Sequence, residues 1–365
     1  MNTQRKKIIV LGGYGAVGSR ICTAIARIPY VECVIAGRNP KRAQYLAKLI
    51  SASILKIDLA DERSIQRELA DAFLVINAAG PFQNQPLVAP EFCASAGIHY
   101  IDINDDRHYH NEVLRQNAIA KRNGCLLVTG AASLPALASL LVDSLSQYFD
   151  KIDEIHVCAA VGNKVPVGRA GAYSLLLKIG TRARMKLGGR WGELPCWTKP
   201  VRLRFPGSLG KISTYIYDIP AIDHFSRHYG TREATFRMGL QLAFVNYGLA
   251  LLGWLRRKGL LKQPARYARP LFLLSKWLKR FGGPDYALQV KVLGTNGAQS
   301  VEHSATLFEP DSDGLGVTTS IVVALVSQWL ENGVPDSGAV SAIGVVDLES
   351  VKSQLIERNV KLIRA

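Results

Sequence analysis

The fold class this sequence predicts is α/β: a doubly wound parallel sheet followed by a second, α+β domain. Three observations predict it. Apolar runs alternate with helical patterns, across short connections, through about the first 130 residues. The first run, Ile8-Ile9-Val10-Leu11, passes straight into Gly12-Gly13-Tyr14-Gly15-Ala16-Val17-Gly18 and then into a helical pattern. Beyond residue 152 the alternation gives way to shorter strand candidates and a hairpin signal.

Taken in order, the uninterrupted apolar run at 8–11 reads as a strand buried on both faces, as a parallel sheet requires. Gly13, Gly15 and Gly18 stand in G-x-G-x-x-G spacing before a helix over 19–28. Gly13 allows the tight turn, Gly15 lets the backbone approach a pyrophosphate, and Gly18 lets the helix pack close to the strand. The helix N-terminus offers N–H groups and partial positive charge to the phosphates. Gly13, Tyr14, Gly15, Ala16, Val17 and Gly18 are therefore the candidate pyrophosphate loop. A second strand over 32–36 ends at Gly37-Arg38-Asn39, where an NAD-preferring fold places a carboxylate for the ribose 2′-hydroxyl. Arg38, backed by Lys41 and Arg42, suits a 2′-phosphate instead, so NADP is the expected cofactor. A solvated basic helix start would leave that choice open.

A third strand over 53–57 ends at Asp58, beside the expected adenine edge, and a short helix follows over 61–69. The fourth strand, from 73, runs into Ala78-Ala79-Gly80-Pro81, small residues against which a flat cofactor can lie, with Pro81 ending the ladder. Helices over 86–96 and 108–122 frame a fifth strand at 99–103; a sixth follows at 125–129 and a helix at 136–148. The ligand crevice of such a sheet lies at the carboxyl ends of its strands.

The second domain reads as a strand over 154–161, a glycine-rich polar loop over 163–173, and short strands at 201–205 and 213–217. Strands at 287–293 and 301–308 are joined through Gly294-Thr295-Asn296-Gly297, and helices close the chain at 315–330 and 348–359.

At 365 residues and 48% hydrophobic content the chain is long enough for two globular domains. Its net charge of +16 is concentrated: residues 164–284 hold 23 Lys and Arg against four acids. That asymmetry suggests an anionic partner there. Six scattered cysteines without a C-x-x-C pair read as small buried hydrophobes in a reducing compartment. Residues 1–7 are polar and 8–11 too short for a signal-peptide core, so cytoplasm is the expected location. Residues 238–255 carry no charge and are bounded by Arg237 and by Arg256-Arg257-Lys258. Three readings of them stay open: a buried helix, an interfacial or tunnel-lining helix, and a membrane span, the last weakened by Gln241, Asn246 and three glycines.

The glycine loop, Ala36-Gly37-Arg38, Val75-Ile76-Asn77-Ala78-Ala79-Gly80-Pro81-Phe82 and His99-Tyr100-Ile101-Asp102 together resemble the saccharopine dehydrogenase-like family of NADP-binding oxidoreductases. The greasy, basic middle segment is more similar to that family's lipid-associated and trans-acting enoyl reductase branch than to its amino-acid branch. The resemblance implies a Rossmann domain over 1–148, a substrate and dimerisation domain over 149–312 that closes the cleft, and C-terminal helices over 313–365 that return to the Rossmann domain. It also implies a homodimer.

Hydride transfer needs an acceptor carbon held against the nicotinamide and a nearby acid. Asp102, Asp105 and His99 at strand ends, with Arg169 and Tyr173 on the following loop, are the residues of suitable type, and Asp102, Tyr173 and Arg169 are the catalytic candidates. Each also has a plain structural reading: Asp102 capping a loop, His99 hydrogen-bonded in its strand, Tyr173 in the core. His108 and His110 with Asp105 and Asp106 fit no common metal spacing, and no metal is expected. The chain is thus read as an NADP(H)-dependent oxidoreductase acting on a C=N, C=O or C=C bond of a small-molecule substrate, an apolar acyl compound being favoured. An anionic membrane surface or an acyl carrier is the candidate partner through residues 237–280, with membrane association alongside the cytoplasmic location. The alternative is a catalytically silent nucleotide-sensing or membrane-surface protein. Nucleic acid is not expected, since no recognition motif accompanies the basic charge.

Overall fold

Strand β1 (Lys6–Leu11) leads into helix α1 (Ala16–Ile25), and the pattern repeats through β2 (Val31–Gly37), α2 (Gln44–Ile50), β3 (Ser53–Lys56), α3 (Glu62–Leu69), β4 (Leu74–Asn77), α4 (Val88–Ala96), β5 (His99–Asp102), α5 (Arg107–Leu114), α6 (Asn117–Arg122) and β6 (Leu126–Thr129). The computed structural model describes residues 5–131, 133–166, 168–312, 316–346, 348–357 and 359–365. In it these strands pair in parallel in the order β3-β2-β1-β4-β5-β6, the doubly wound order expected of the sequence. Strand period sets the packing. Ile9 and Leu11 join Val34, Ala36, Val75, Tyr100 and Leu127 in one core cluster, while Ile8 and Val10 point to the opposite face and are equally buried. Asp61 and Asp106 cap α3 and α5 by accepting from the Ser64 and Tyr109 amides.

The second unit begins with α7 (Ala138–Ser146), β7 (Lys151–Val161) and α8 (Arg169–Lys178), then β8 (Arg182–Leu187), β9 (Arg190–Pro195), β10 (Val201–Phe205), β11 (Gly210–Ile216) and α9 (Ala221–His228). It continues with β12 (Glu233–Leu240), α10 (Ala243–Arg257), α11 (Ala268–Leu278), β13 (Tyr286–Asn296) and β14 (Gln299–Glu309). Its sheet runs β10-β11-β12-β7-β13-β14, antiparallel except where β12 lies parallel to β7. Strands β13 and β14 are longer than expected and turn through Gly297 and Ala298, since Asn296 pairs with Gln299. Gly294 therefore lies within the strand, at a shift of register against β7, where a Cβ would overlap the Lys151 carbonyl. The hairpin β8–β9 was not expected. It turns on Gly188-Gly189, both at positive φ, which the two central residues of a tight hairpin require.

Two expectations need correction here. Residues 163–173 are not one loop: Arg169 opens helix α8, which Tyr173 continues. The chain after residue 312 does not return as a single helical block either. Helix α12 (Gly316–Asn332), from Thr318 onward, and β15 (Gly338–Ser341) belong to the first unit, where β15 extends the sheet beside β6. Helix α13 (Leu348–Glu357) and β16 (Lys361–Arg364) belong to the second, where β16 pairs with β14; α7 is also part of that unit. Both strands are only four residues long, too short for a period to announce them.

The charge-free stretch 238–255 is divided between the end of β12 and α10, and among the described residues no helix is long and apolar enough to cross a membrane. Asn246, buried on the inner side of α10, ties the helix to the sheet. Its side chain accepts from the Leu240 amide at 3.1 Å and donates to the Leu240 carbonyl at 2.6 Å, while its own carbonyl accepts from the Trp197 indole at 3.1 Å. Asn246→Ala would leave both Leu240 groups without their partner, so urea denaturation should show a loss of about 2 kcal/mol or more.

Candidate functional site

Three loops meet at the carboxyl ends of β1, β2 and β4, and what brings them together is the absence of Cβ atoms. Gly12 has φ +73°, and a Cβ there would lie 2.8 Å from Ala79 Cα. A Cβ on Gly18 would overlap the Gly12 carbonyl, so glycine there is what lets α1 start against the turn. Gly15 precedes α1 in extended conformation with no side chain capping the helix. The first-turn amides of Ala16, Val17 and Gly18 thus form the end of a helix dipole suited to an anion. Tyr14 links this loop to the next: its hydroxyl accepts from the Asn39 amide at 3.1 Å and its ring covers Gly37, where a Cβ would lie 2.5 Å from ring carbon Cε1. The Arg42 guanidinium stacks over the same ring, 5.0 Å from its centroid. Arg38, Lys41 and Arg42 are exposed around this turn, and Asp58, at the end of β3, accepts from the Ala60 amide.

The turn Ala78-Ala79-Gly80-Pro81, with Gly80–Pro81 cis, is held from beneath. Asn77 Oδ1 accepts from the Ala79 amide at 3.1 Å, and Gln85 Nε2 donates to the Ala79 carbonyl at 2.8 Å, so the two peptides flanking Ala79 Cα are both held. Asn77 Nδ2 shares its two hydrogens among Gln85 Oε1 and the Tyr100 and Tyr109 hydroxyls at 3.0 to 3.2 Å, and the two hydroxyls bond each other at 2.9 Å. Burial raises the pKa of both phenols, keeping them neutral donors. This network was missed in the sequence; its signal was a polar Asn77 ending the apolar run Leu74-Val75-Ile76.

Asp102 is 0% exposed. Its Oδ1 accepts from the Asn104 amide and side chain, the Thr129 hydroxyl and the Gly130 amide at 2.6 to 3.1 Å. Its Oδ2 has no partner among the described residues. Burial pushes its pKa up, opposed by those hydrogen bonds. His99 Nδ1 accepts from the Leu126 amide at 3.1 Å, and burial and then Lys6 lower its pKa, which fits a neutral, structural imidazole. His108 lies exposed beside Glu112, and Asp105 accepts from Gln83. In the second unit Arg169 and Tyr173 are exposed one turn apart on α8, with the Arg169 guanidinium 5.8 Å from the centre of the Phe272 ring. All six cysteines are free and buried.

The fold and the glycine cradle define a dinucleotide-binding Rossmann protein. Residues 8–128 match the family model described as the saccharopine dehydrogenase NADP-binding domain, and the cofactor that match gives is NADP. The resemblance read from the sequence holds over that stretch. Two curated relatives are similar: the "Probable mitochondrial saccharopine dehydrogenase-like oxidoreductase" of Arabidopsis thaliana, 26% identical over 157 residues, covering 38% of this chain and 34% of that one; and the "Lipid droplet localized protein" of Caenorhabditis elegans, 28% identical over 204 residues, covering 50% and 47%. The matches thus span about a third to a half of those relatives. Among solved structures, apo saccharopine dehydrogenase (L-Glu forming) from Saccharomyces cerevisiae matches with a TM-score of 0.70 at 13% identity, covering 99% of each chain. Diaminopimelate (DAP) dehydrogenase of C. glutamicum matches with a TM-score of 0.50 at 14% identity, covering 98% of this chain and 99% of that one. These show the fold.

The pKa of Asp102 gives a testable sign. A carboxyl raised in the folded state binds its proton more tightly there, so it favours folding below its unfolded value of about 3.9 and loses that contribution as pH rises through the raised value. Asp102→Asn keeps an acceptor but cannot ionise. The stability of the wild type relative to this variant should fall across that window in melts taken at stepped pH; a flat difference would remove the argument for a raised pKa.

Proposed function

We propose that the protein is an NADP(H)-dependent oxidoreductase transferring a hydride to a C=N, C=O or C=C bond of an apolar acyl substrate. The observation that carries this is the glycine cradle roofed by Tyr14, with the cations Arg38, Lys41 and Arg42 at its rim. The residues present fit the cofactor, because glycine at 18 lets α1 begin against the turn and the helix starts without a side-chain cap, leaving its first amides for an anion. The amides of Ala16, Val17 and Gly18, beside Gly13, Tyr14 and Gly15, would hold the pyrophosphate and Arg38 the 2′-phosphate. Asp58 would border the adenine, and Ala78, Ala79, Gly80 and Pro81 would support the nicotinamide. Bound NADPH supplies the hydride.

In this reading Tyr173 and Arg169 act on the substrate, the phenol as proton donor and the guanidinium toward developing negative charge. Asp102 is a positioning residue: with Oδ1 consumed by four donors it fixes the ends of β5 and β6. The acyl substrate would be presented by an anionic membrane surface or an acyl carrier through residues 237–280, with the protein a homodimer at the cytoplasmic side of that surface. A second reading, a nucleotide sensor without turnover, is favoured by the burial of Asp102, which removes that carboxyl as a directly acting acid.

Titration with NADPH and NADH, followed by fluorescence, tests the cofactor half. The wild type should prefer NADPH, and Arg38→Ala should weaken NADPH by about ten- to a hundredfold, the loss of one charge-assisted contact, while leaving NADH unchanged. A protein that binds neither nucleotide would sink the oxidoreductase reading. A wild type that binds NADPH but turns over no acyl, carbonyl or imine substrate would favour the sensor.

A further inference from the structure

Helix α10 is amphipathic the wrong way round for a buried helix. Its inner stripe is Asn246, Leu249 and Gly253, all buried, with Gly253 against Gly180 of the α8–β8 turn. Its outer stripe is Phe244, Tyr247, Leu251 and Trp254, at helical spacing and each between 45% and 66% exposed. The helix cannot roll these side chains inward, because Asn246 is clamped to Leu240 and Arg256 donates to the Leu177 and Ile179 carbonyls at 2.6 and 2.8 Å. Of the three readings left open for this stretch, the buried helix does not describe these four residues.

Helix α11 repeats the pattern. It packs on α8, and the Asn163 side chain donates to the Leu278 carbonyl at 2.6 Å. Yet Leu273, Leu274, Trp277 and, just beyond its end, Phe281 are all exposed. Between and around these apolar side chains stand exposed Lys258, Lys262, Arg266, Arg269, Lys276 and Arg280, and no acidic residue occurs from 234 to 284. Cations lie over rings within the segment, Lys276 at Phe272 and Arg280 at Trp277.

From this we infer that α10 and α11 form a docking surface for an anionic phospholipid membrane, with the leucines and aromatic rings entering the interface and the cations meeting lipid phosphates. The inference rests on the partner side of the proposed function and commits it to lipid. Charge complementarity selects the occupant. A second copy of this segment would set two acid-free basic surfaces against each other, and like charges repel. Exposed Trp, Tyr, Phe and Leu interleaved with Lys and Arg is the composition of helices that lie in a bilayer interface. Lysine, by contrast, is depleted in protein–protein interfaces.

The test uses the full chain with vesicles of phosphatidylcholine alone and of phosphatidylcholine mixed with phosphatidylglycerol. Cosedimentation should occur with the mixed vesicles only, and should be lost in 1 M salt, where the screening length is about 3 Å. Tryptophan emission should shift to the blue on binding. The paired substitution Leu251→Glu and Trp254→Glu, at exposed positions outside the nucleotide site, should weaken vesicle binding at least tenfold with NADPH binding unchanged. Absence of vesicle binding by a wild type that still binds NADPH would overturn the inference, as would equal binding by the paired variant. So would a self-association abolished by that variant, or capture of an acidic acyl carrier protein, either without vesicle binding. Failure to bind NADPH, by contrast, would strike the proposed function and leave the vesicle result standing.

Discussion

The contact on which the first unit depends is the one between the turn after β1 and the helix that follows it. Nothing larger than hydrogen fits on Gly18 without striking the Gly12 carbonyl, and nothing larger fits on Gly12 without striking Ala79. The first contact fixes where α1 begins, and so where its free amides point. The second brings the turn after β4 against the turn after β1. Tyr14 then reaches over Gly37 and accepts from Asn39, drawing in the third loop with its cations. Three loops on three strands are thereby held at one edge of the sheet. The charge a nucleotide phosphate would meet there is a consequence of backbone packing before it is a matter of side chains.

Two buried polar networks hold that edge from below, and they differ in an informative way. Around Asn77 and Ala79 two phenols, two side-chain amides and the backbone N–H and C=O of Ala79 bond one another, which is what a low-dielectric site demands of polar atoms. Around Asp102 the accounting is one-sided, with four donors on one oxygen and, among the described residues, none on the other. A carboxylate with a bare buried oxygen carries an unfavourable charge. Burial accordingly pushes its pKa up, while the four bonds to Oδ1 tie the end of β5 to the turn after β6.

The Rossmann half was legible because its signals are local. Strands buried on both faces read as unbroken apolar runs, and a glycine triplet between such a run and a helix leaves few other uses for the glycines. What was illegible depended on distant partners or on very short elements. Helix α8 looked like a loop because Pro166, Gly168 and Gly171 are poor helix residues, and what supports it is distant in sequence: packing with α11 and the Pro264–Tyr267 turn, and Arg256 on its Leu177 carbonyl. Asn77 looked like the end of a strand, since nothing in its neighbourhood names Tyr100 or Tyr109 as partners. Strands β15 and β16 lie in different sheets although only nineteen positions separate Ser341 from β16's Lys361, and no local pattern records that divergence.

Helix α10 shows why spacing alone could not decide between a buried and an exposed helix. Periodicity says which residues share a face, and it places Phe244, Tyr247, Leu251 and Trp254 together; it is silent on what covers them. Hydropathy would turn that face inward. The structure turns it outward because the opposite face carries the stronger fastening: an asparagine that completes a backbone pair, a glycine that admits a neighbouring backbone, and an arginine spent on two carbonyls. Those hydrogen bonds are directional and partly buried, whereas apolar burial is indifferent to which surface supplies the cover. A lipid interface can supply it as well as a protein core can, and the surrounding cations, with no acid among them, bias that cover toward an anionic one.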